Sequence, residues 1–177
     1  MNLGYQYSVN GKLSLIMDLP SLLHYLERLS IQYEYHDHVA VFTSEQARRL
    51  IPPLKGASAK NLFLRDRKGR RHFLLTLPDS KILDLKSLSA SLGVSGLSLA
   101  SPERLLKYLG ITPGAVSLMA LVNDSEIKVE ILIDQELWEA DYLQCHPLVN
   151  TATLVISLQD IKKFIAATGH TVKLVKM

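Results

Sequence analysis

With 177 residues, 47% of them hydrophobic and 21% charged, the chain has the size of one domain able to bury about 70% of its unfolded surface, and its charges are too many and too interspersed for a membrane protein. A net charge of +3 falls well short of what a protein held to nucleic acid by electrostatics alone would carry. The single cysteine, Cys145, excludes an intrachain disulfide and a cysteine-built zinc site and points to the cytoplasm; Met1 to Met17 has one basic residue, Lys12, and no apolar run of signal-peptide length, so no targeting or membrane-spanning segment is expected.

Residues 1–18 are polar and without a clear period, which predicts a tail or a strand added at a sheet edge, with the domain proper over 19–177. Pro20 opens a helix with an apolar stripe of Leu22, Leu23, Leu26 and Leu29, and Ile31, Tyr33 and Tyr35 then alternate as a strand. Thr43 and Gln46 form a capping-box pattern before a short helix that stops ahead of Pro52-Pro53. Lys60 to Arg65 and His72 to Leu77 flank a polar connection, Asp66 to Arg70, of hairpin length. Leu85, Leu88 and Leu92 mark a helix closed by Gly93, Leu97 to Leu99 a buried strand, and Ser101 to Gly110 a capped helix. From there strands dominate: Leu118 to Val122, a turn at Asn123-Asp124, Lys128 to Ile133, Tyr142 to His146 and Thr151 to Ile156. Asp134 is placed to cap a short helix, and a helix beginning at Ser157 precedes a last strand, His170 to Val175. Helices alternating with strands early and strands adjoining strands late predict an α+β fold, a mixed sheet covered by helices.

Several constellations invite chemistry, and most have a plainer reading. His36-Asp37-His38 has zinc-ligand residue types but no third ligand at a matched spacing, so no metal is expected, nor any cofactor. Cys145 and His146 are strand neighbours on opposite faces, poorly placed as a nucleophile–base pair. Ser101 fits a helix cap better than a nucleophile, and no nucleophile elbow, P-loop or GxGxxG string occurs. The loop Gly110 to Ser117 could offer backbone amides to a ligand oxygen, with glycine permitting close approach. Lys60, Arg65, Arg67, Lys68, Arg70 and Arg71 form a basic cluster that reads as a solvated hairpin rim or a phosphate-facing patch. Taken singly, Lys60 and Asn61 read as a solvated strand end and His146 as a structural histidine.

Read together, these segments carry a resemblance. Lys60-Asn61-Leu62-Phe63-Leu64-Arg65-Asp66 and His146-Pro147-Leu148-Val149-Asn150-Thr151-Ala152-Thr153, supported by His38 to Thr43 with Glu45 and Ala47, by Ser101 to Leu105, by Gly110 to Val116 and by Asn123-Asp124, resemble the prolyl-tRNA editing family, the YbaK and ProX-like deacylases. The likeness spans residues ~20 to 177. It implies a curved, largely antiparallel sheet and hydrolysis of amino acids wrongly attached to tRNA, in the ProX-type members alanine on proline tRNA. The partners implied are the acceptor end of mischarged proline tRNA and, as a second candidate, prolyl-tRNA synthetase; the oligomeric state is left open.

On the same resemblance Lys60 would hold a phosphate or polar group of the terminal adenosine and Asn61 would place the ester. The loop at Gly114 and Ala115 would offer amides to the substrate carbonyl, while His146, Thr151 and Thr153 would line the pocket or position water. Val41, Phe63 and Leu121 are the candidates for the wall that selects by size, as in a second editing sieve. No enzyme nucleophile is required, because an aminoacyl ester is already activated and oriented water can attack it. The chain departs from the family pattern at Leu118, where a loop proline is usual, at Ser58-Ala59 before the lysine, at Ser95-Gly96, where relatives carry basic residues, and at Cys145, where an aromatic is common. These departures keep two further expectations open: a binding paralogue without turnover, and a deacylase for serine, threonine or 2-aminobutyrate.

Overall fold

The computed structural model describes residues 6–9 and 12–177. Gln6–Val9 (β1) and Lys12–Leu15 (β2) pair antiparallel as a two-stranded sheet and, among the described residues, do not extend another sheet as an edge strand; residues 1–5, 10 and 11 of the expected tail lie outside the described residues. Leu19–Arg28 (α1) begins where the Asp18 side chain accepts the Ser21 N–H at 3.0 Å, with Pro20 in the first turn, where a missing N–H is harmless. Tyr33–Asp37 (β3) follows. Ser44–Leu50 (α2) is capped by Thr43, but the Gln46 side chain reaches back to the N–H of Phe42, one residue earlier than a capping box requires.

Ala59–Asp66 (β4) and His72–Pro78 (β5) form the expected hairpin, then Leu85–Ser91 (α3), Leu97–Leu99 (β6) and Pro102–Leu109 (α4). Val129–Asp134 (β7), Tyr142–Cys145 (β8), Ala152–Ser157 (β9), Leu158–Ala167 (α5) and Val172–Val175 (β10) complete the order. Asp134 accepts the Glu136 N–H at 3.0 Å, just ahead of a short 3₁₀ turn, Leu137–Glu139.

The fold is α+β, but its mixed sheet is split in two. One sheet runs β10-β7-β5-β4-β6, parallel across β10, β7 and β5 and antiparallel across β5, β4 and β6; the other, β3-β9-β8, is antiparallel. Strand β5 is buried at every position, as a central strand covered on both faces should be. Phe63, Leu74, Ile131 and Ile133 face the larger core, shared with α1, α4 and α5, while Leu64, Phe73, Leu75 and Leu77 pack against Leu88 of α3 and Leu92 at its C-terminal cap.

Two local expectations are corrected. Leu118 to Val122 is not a strand: Leu118–Asn123 is a 3₁₀ helix, started by Ser117, whose hydroxyl accepts the Met119 N–H at 3.2 Å. Leu118, Met119, Ala120 and Leu121 are buried in succession, a pattern that the alternating faces of a strand exposed on one side cannot produce. Strand β6 is not buried either, since it forms the sheet edge and leaves Leu99 63% exposed.

The turn after the 3₁₀ helix is locked by a buried polar pair. Asp124 accepts the N–H groups of Lys128 at 3.0 Å and Val129 at 2.7 Å, and His170 Nε2 lies 3.1 Å from its carboxylate. Burial alone would raise this carboxyl's pKa, but the His170 contact and the two amides outweigh it and hold Asp124 below the ordinary carboxylate value. Removing the carboxylate strands a histidine and two amides at once. Asp124→Ala should therefore lower unfolding free energy by about 3–5 kcal/mol in a urea titration. Because the folded pKa is the lower one, the wild-type contribution is complete above the unfolded value near 3.9 and is lost as pH falls through the folded value, and the variant should lack this acid-dependent loss.

Candidate active site

Where the two sheets meet, the chain before β4 lies against β8. The Ala57 N–H donates to the Tyr142 carbonyl at 2.8 Å and the Gln144 N–H donates to the Ala57 carbonyl at 3.1 Å, an isolated bridge between sheets. Gly56 makes this possible: its φ is +87°, and a Cβ there would stand 2.7 Å from the Tyr142 Cβ. Beyond the bridge, β4 diverges from β8 and a cavity of about 190 Å³ opens between them. The cavity is smaller than the roughly 300–1,000 Å³ of drug-sized sites.

The structure brings Lys60, Asn61, Gly114, His146, Val41 and Thr153 together around this one cavity. The other four candidates do not line it. Phe63 points into the core and stacks on His72 with ring centroids 5.7 Å apart, Leu121 is buried in the 3₁₀ helix, and Ala115 is buried with its N–H turned back to the Thr112 carbonyl. Thr151 is exposed at the turn, where its carbonyl accepts the His38 N–H at 2.9 Å. The apolar wall comprises Val41 with Ala47, Ile51, Ala59 and Val116. The i, i+4 spacing of Ala47 and Ile51 could have flagged a wall on α2, but that helix's short pattern does not say which face meets a ligand.

The polar groups divide by role. The Lys60 ammonium donates to the backbone carbonyls of Asp79, at 3.2 Å, and Lys81, which uses two of its three donors. The charges around it are settled elsewhere: Asp79 is bound by Arg48 at 2.7 Å, and Lys81 by Asp134 at 2.7 Å and Glu136 at 3.1 Å. Among the described residues, Lys60 therefore meets no carboxylate and keeps an uncompensated charge and one free donor. The Asn61 Oδ1 accepts the Thr76 hydroxyl at 2.8 Å, which leaves its amide N–H₂ as the group available to the cavity.

On the opposite wall His146 Nδ1 lies 2.9 Å from the Ala152 carbonyl, so Nδ1 carries the proton. Burial, opposed by that carbonyl and reinforced by His38, holds its pKa below the ordinary histidine value. At neutral pH the ring is uncharged, and Nε2, which meets no protein partner among the described residues, is a proton acceptor. The turn that aims it includes Leu148 at φ +68°, a left-handed conformation that costs a non-glycine residue about 1–2 kcal/mol and is held by burial of the Leu148 side chain. Behind it, His38 Nδ1 lies 2.8 Å from the Val39 carbonyl, and Nε2 takes the Thr153 hydroxyl at 3.0 Å. Cys145 is no nucleophile here: burial pushes its thiol up to about 12. Among the described residues no group of three His, Cys, Asp or Glu side chains is placed to hold a metal.

This arrangement can be compared with known proteins. The family model described as the aminoacyl-tRNA editing domain matches residues 38–164. The chain belongs to that family. A relative in Acetoanaerobium sticklandii, named prolyl-tRNA editing protein ProX, is 38% identical over 152 residues, covering 86% of this chain and 93% of the relative. A Danio rerio relative named prolyl-tRNA synthetase associated domain-containing protein 1 is also 38% identical, covering 85% and 82%. A crystal structure described as a candidate trans-editing enzyme for prolyl tRNA synthetase superposes with a TM-score of 0.65 over 90% of this chain and 96% of that one, at 19% identity, which establishes the shared fold. No helix among the described residues of this editing domain is long and apolar enough to cross a membrane.

The loop opposite Lys60 gives the geometry a direct test. Gly114 has φ +93°, and a Cβ there would stand 2.9 Å from the ring of Phe42, a residue 65% exposed at the cavity mouth. Gly114→Ala should destabilise the domain by about 1–2 kcal/mol for the backbone conformation alone, plus a further loss from the ring contact. In a double-mutant cycle read by chemical denaturation, Phe42→Ala should remove only the second part; full additivity would contradict the contact.

Proposed function

We propose that this editing domain hydrolyses the aminoacyl ester of mischarged proline tRNA, with alanine as the amino acid removed. The observation that carries the reading is the convergence, on one small cavity, of two anchored donors, Lys60 and Asn61, with a neutral imidazole acceptor, His146 Nε2. The 38% identity to a protein named prolyl-tRNA editing protein ProX supports the tRNA species. The partner is then the tRNA acceptor end; work beside prolyl-tRNA synthetase accords with the name of the Danio rerio relative, and a cytoplasmic location with the single free thiol.

In this mechanism the remaining donor of Lys60 holds a phosphate or polar group of the terminal adenosine, and the Asn61 amide fixes the ester. Water is held at His146 Nε2. Its oxygen attacks the ester carbonyl carbon, its proton passes to Nε2, and the carbonyl oxygen gains the charge. Neither the Gly114 nor the Val116 N–H meets an acceptor of the protein among the described residues, and both residues line the cavity, where amides suit such an oxyanion. Collapse of the oxyanion breaks the bond to the ribose oxygen, which takes the proton from Nε2 by way of the neighbouring ribose hydroxyl and leaves as a hydroxyl, returning His146 to its neutral form. Selection is steric: Val41, Ala47, Ile51 and Val116 leave room for a methyl side chain and exclude the proline ring.

Leu118 bears on the alternative of a binding protein without turnover. It is buried beneath the loop, and the Ser117 cap and the Thr112–Ala115 turn brace the segment that family members stiffen with proline. That bracing favours turnover.

Purified protein should release alanine from alanyl-tRNA specific for proline and leave prolyl-tRNA intact, while a panel with serine, threonine and 2-aminobutyrate esters ranks the acyl groups. Lys60→Ala should abolish release, and full activity in that variant would sink the role of Lys60. For His146 the expected signature is an acid limb in the pH–rate profile below the ordinary histidine value near 6.5. His146→Asn should lower kcat by about 10²–10⁴ and erase that limb.

A further inference from the structure

The basic cluster in the β4–β5 turn lies at the far end of the strand whose beginning lines the cavity. From Lys60 to Asp66 the strand advances about 20 Å at roughly 3.3 Å per residue, so cavity and turn are two ends of one rigid element. Arg67, Lys68 and Arg70 are exposed in the turn, and Arg65, Arg104 and the exposed Lys107 flank it: Arg65 donates to the Arg67 carbonyl at 3.2 Å, and Arg104 to the Gly69 carbonyl at 3.3 Å. The charges of Arg104, Lys107 and Arg65 all bear on His72 between them.

A merely solvated rim would pair its cations with nearby acids, and here those acids have other partners. Asp66, the only carboxylate in the turn, is buried and accepts the backbone N–H groups of Arg70 at 2.7 Å and Arg71 at 3.1 Å. Glu130 is taken by Arg71 in a bidentate pair at 2.7 Å, and Glu103 sits at the start of α4 on Ser101. Among the described residues, none of the six cations meets a carboxylate within 4.0 Å. The turn is also held in shape, since the Arg67 N–H donates to the Gly96 carbonyl at 3.0 Å and Gly69 takes φ +65°.

We infer that this turn is a second RNA contact, binding the phosphate backbone of the acceptor stem while the 3′ end of the same molecule occupies the cavity. The inference rests on the proposed tRNA substrate and adds where its body docks. Guanidinium groups suit phosphate oxygens, and unpaired, exposed cations release counterions from RNA without first breaking ion pairs of the protein. Contacts from these exposed charges to the phosphate backbone supply affinity and orientation and leave selection to the cavity.

The test is the charge-reversal variant Arg67→Glu/Lys68→Glu/Arg70→Glu, altered only at exposed positions. Binding of uncharged proline tRNA is followed by fluorescence anisotropy across a salt series, and deacylation is compared on full alanyl-tRNA and on a short 3′-terminal oligonucleotide carrying the same ester. The variant should bind tRNA about tenfold or more weakly at low salt, with the log–log salt slope reduced by about 2–3, and should raise KM on tRNA while hydrolysing the short ester as the wild type does. Unchanged tRNA affinity and slope would overturn the inference, as would equal losses on both esters or a loss confined to binding of phosphatidylserine vesicles. A wild type that hydrolyses neither ester yet binds tRNA through the turn would refute the proposed hydrolysis and leave the docking surface standing.

Discussion

The bridge at Ala57 is the constraint on which the site depends. Two sheets with separate hydrogen-bond ladders are joined there through a pair of backbone bonds to Tyr142 and Gln144. The approach is so close that only glycine fits at position 56. The Gln144 side chain reinforces it, donating to the Leu54 carbonyl at 3.2 Å and the Gly56 carbonyl at 3.1 Å. Past this point β4 must follow β5 while β8 must follow β9, and the sheets part. The cavity is the wedge left by that divergence, which is why Lys60 and His146, 86 positions apart in the chain, face each other across it.

The same geometry explains how the site holds a charge without neutralising it. Lys60 lies on the β4 face turned towards the Asp79–Lys81 turn, and Asn61, its neighbour, on the face turned towards Thr76. Ion pairs to Arg48 and Asp134 anchor the turn from two sides and consume its charged side chains, so the turn presents carbonyl oxygens to the ammonium. Carbonyl dipoles orient a lysine without cancelling its charge. A carboxylate in the same place would have produced a satisfied ion pair with little left for an incoming anion.

Much of this organisation was legible in the sequence, and what was not has a common cause. Helix starts at Pro20, Thr43, Ser101 and Ser157 are local chemistry, and the β4–β5 hairpin is set by its own turn, so both could be read from short windows. The splitting of the sheet could not, because it depends on the Ala57–Leu143 bridge between segments far apart in sequence. Nor could the facing of individual side chains. Phe63 and Lys60 belong to one motif and one strand, yet Phe63 is committed to His72 and Tyr108 in the core while Lys60 reaches the cavity. The 3₁₀ helix was hidden because a run of buried apolar residues has no period to distinguish helix from strand.

Hydrolysis in such a site calls for little from the protein beyond placement. The ester is activated, so the barrier is lowered chiefly by fixing water and carbonyl in line and by having donors already aimed at the oxygen that gains charge. The proposed mechanism assigns these tasks to groups whose second bonds are made inside the protein: His146 through Ala152, Asn61 through Thr76, Lys60 through two carbonyls. A histidine fixed as its Nδ1–H tautomer, with burial keeping it uncharged, accepts a proton from water without first losing one. A charged imidazole there would instead add a second cation opposite Lys60, favouring retention of an anion over turnover. On the proposed mechanism, the lowered pKa of His146 keeps an uncharged proton acceptor facing the cavity that Lys60 also lines.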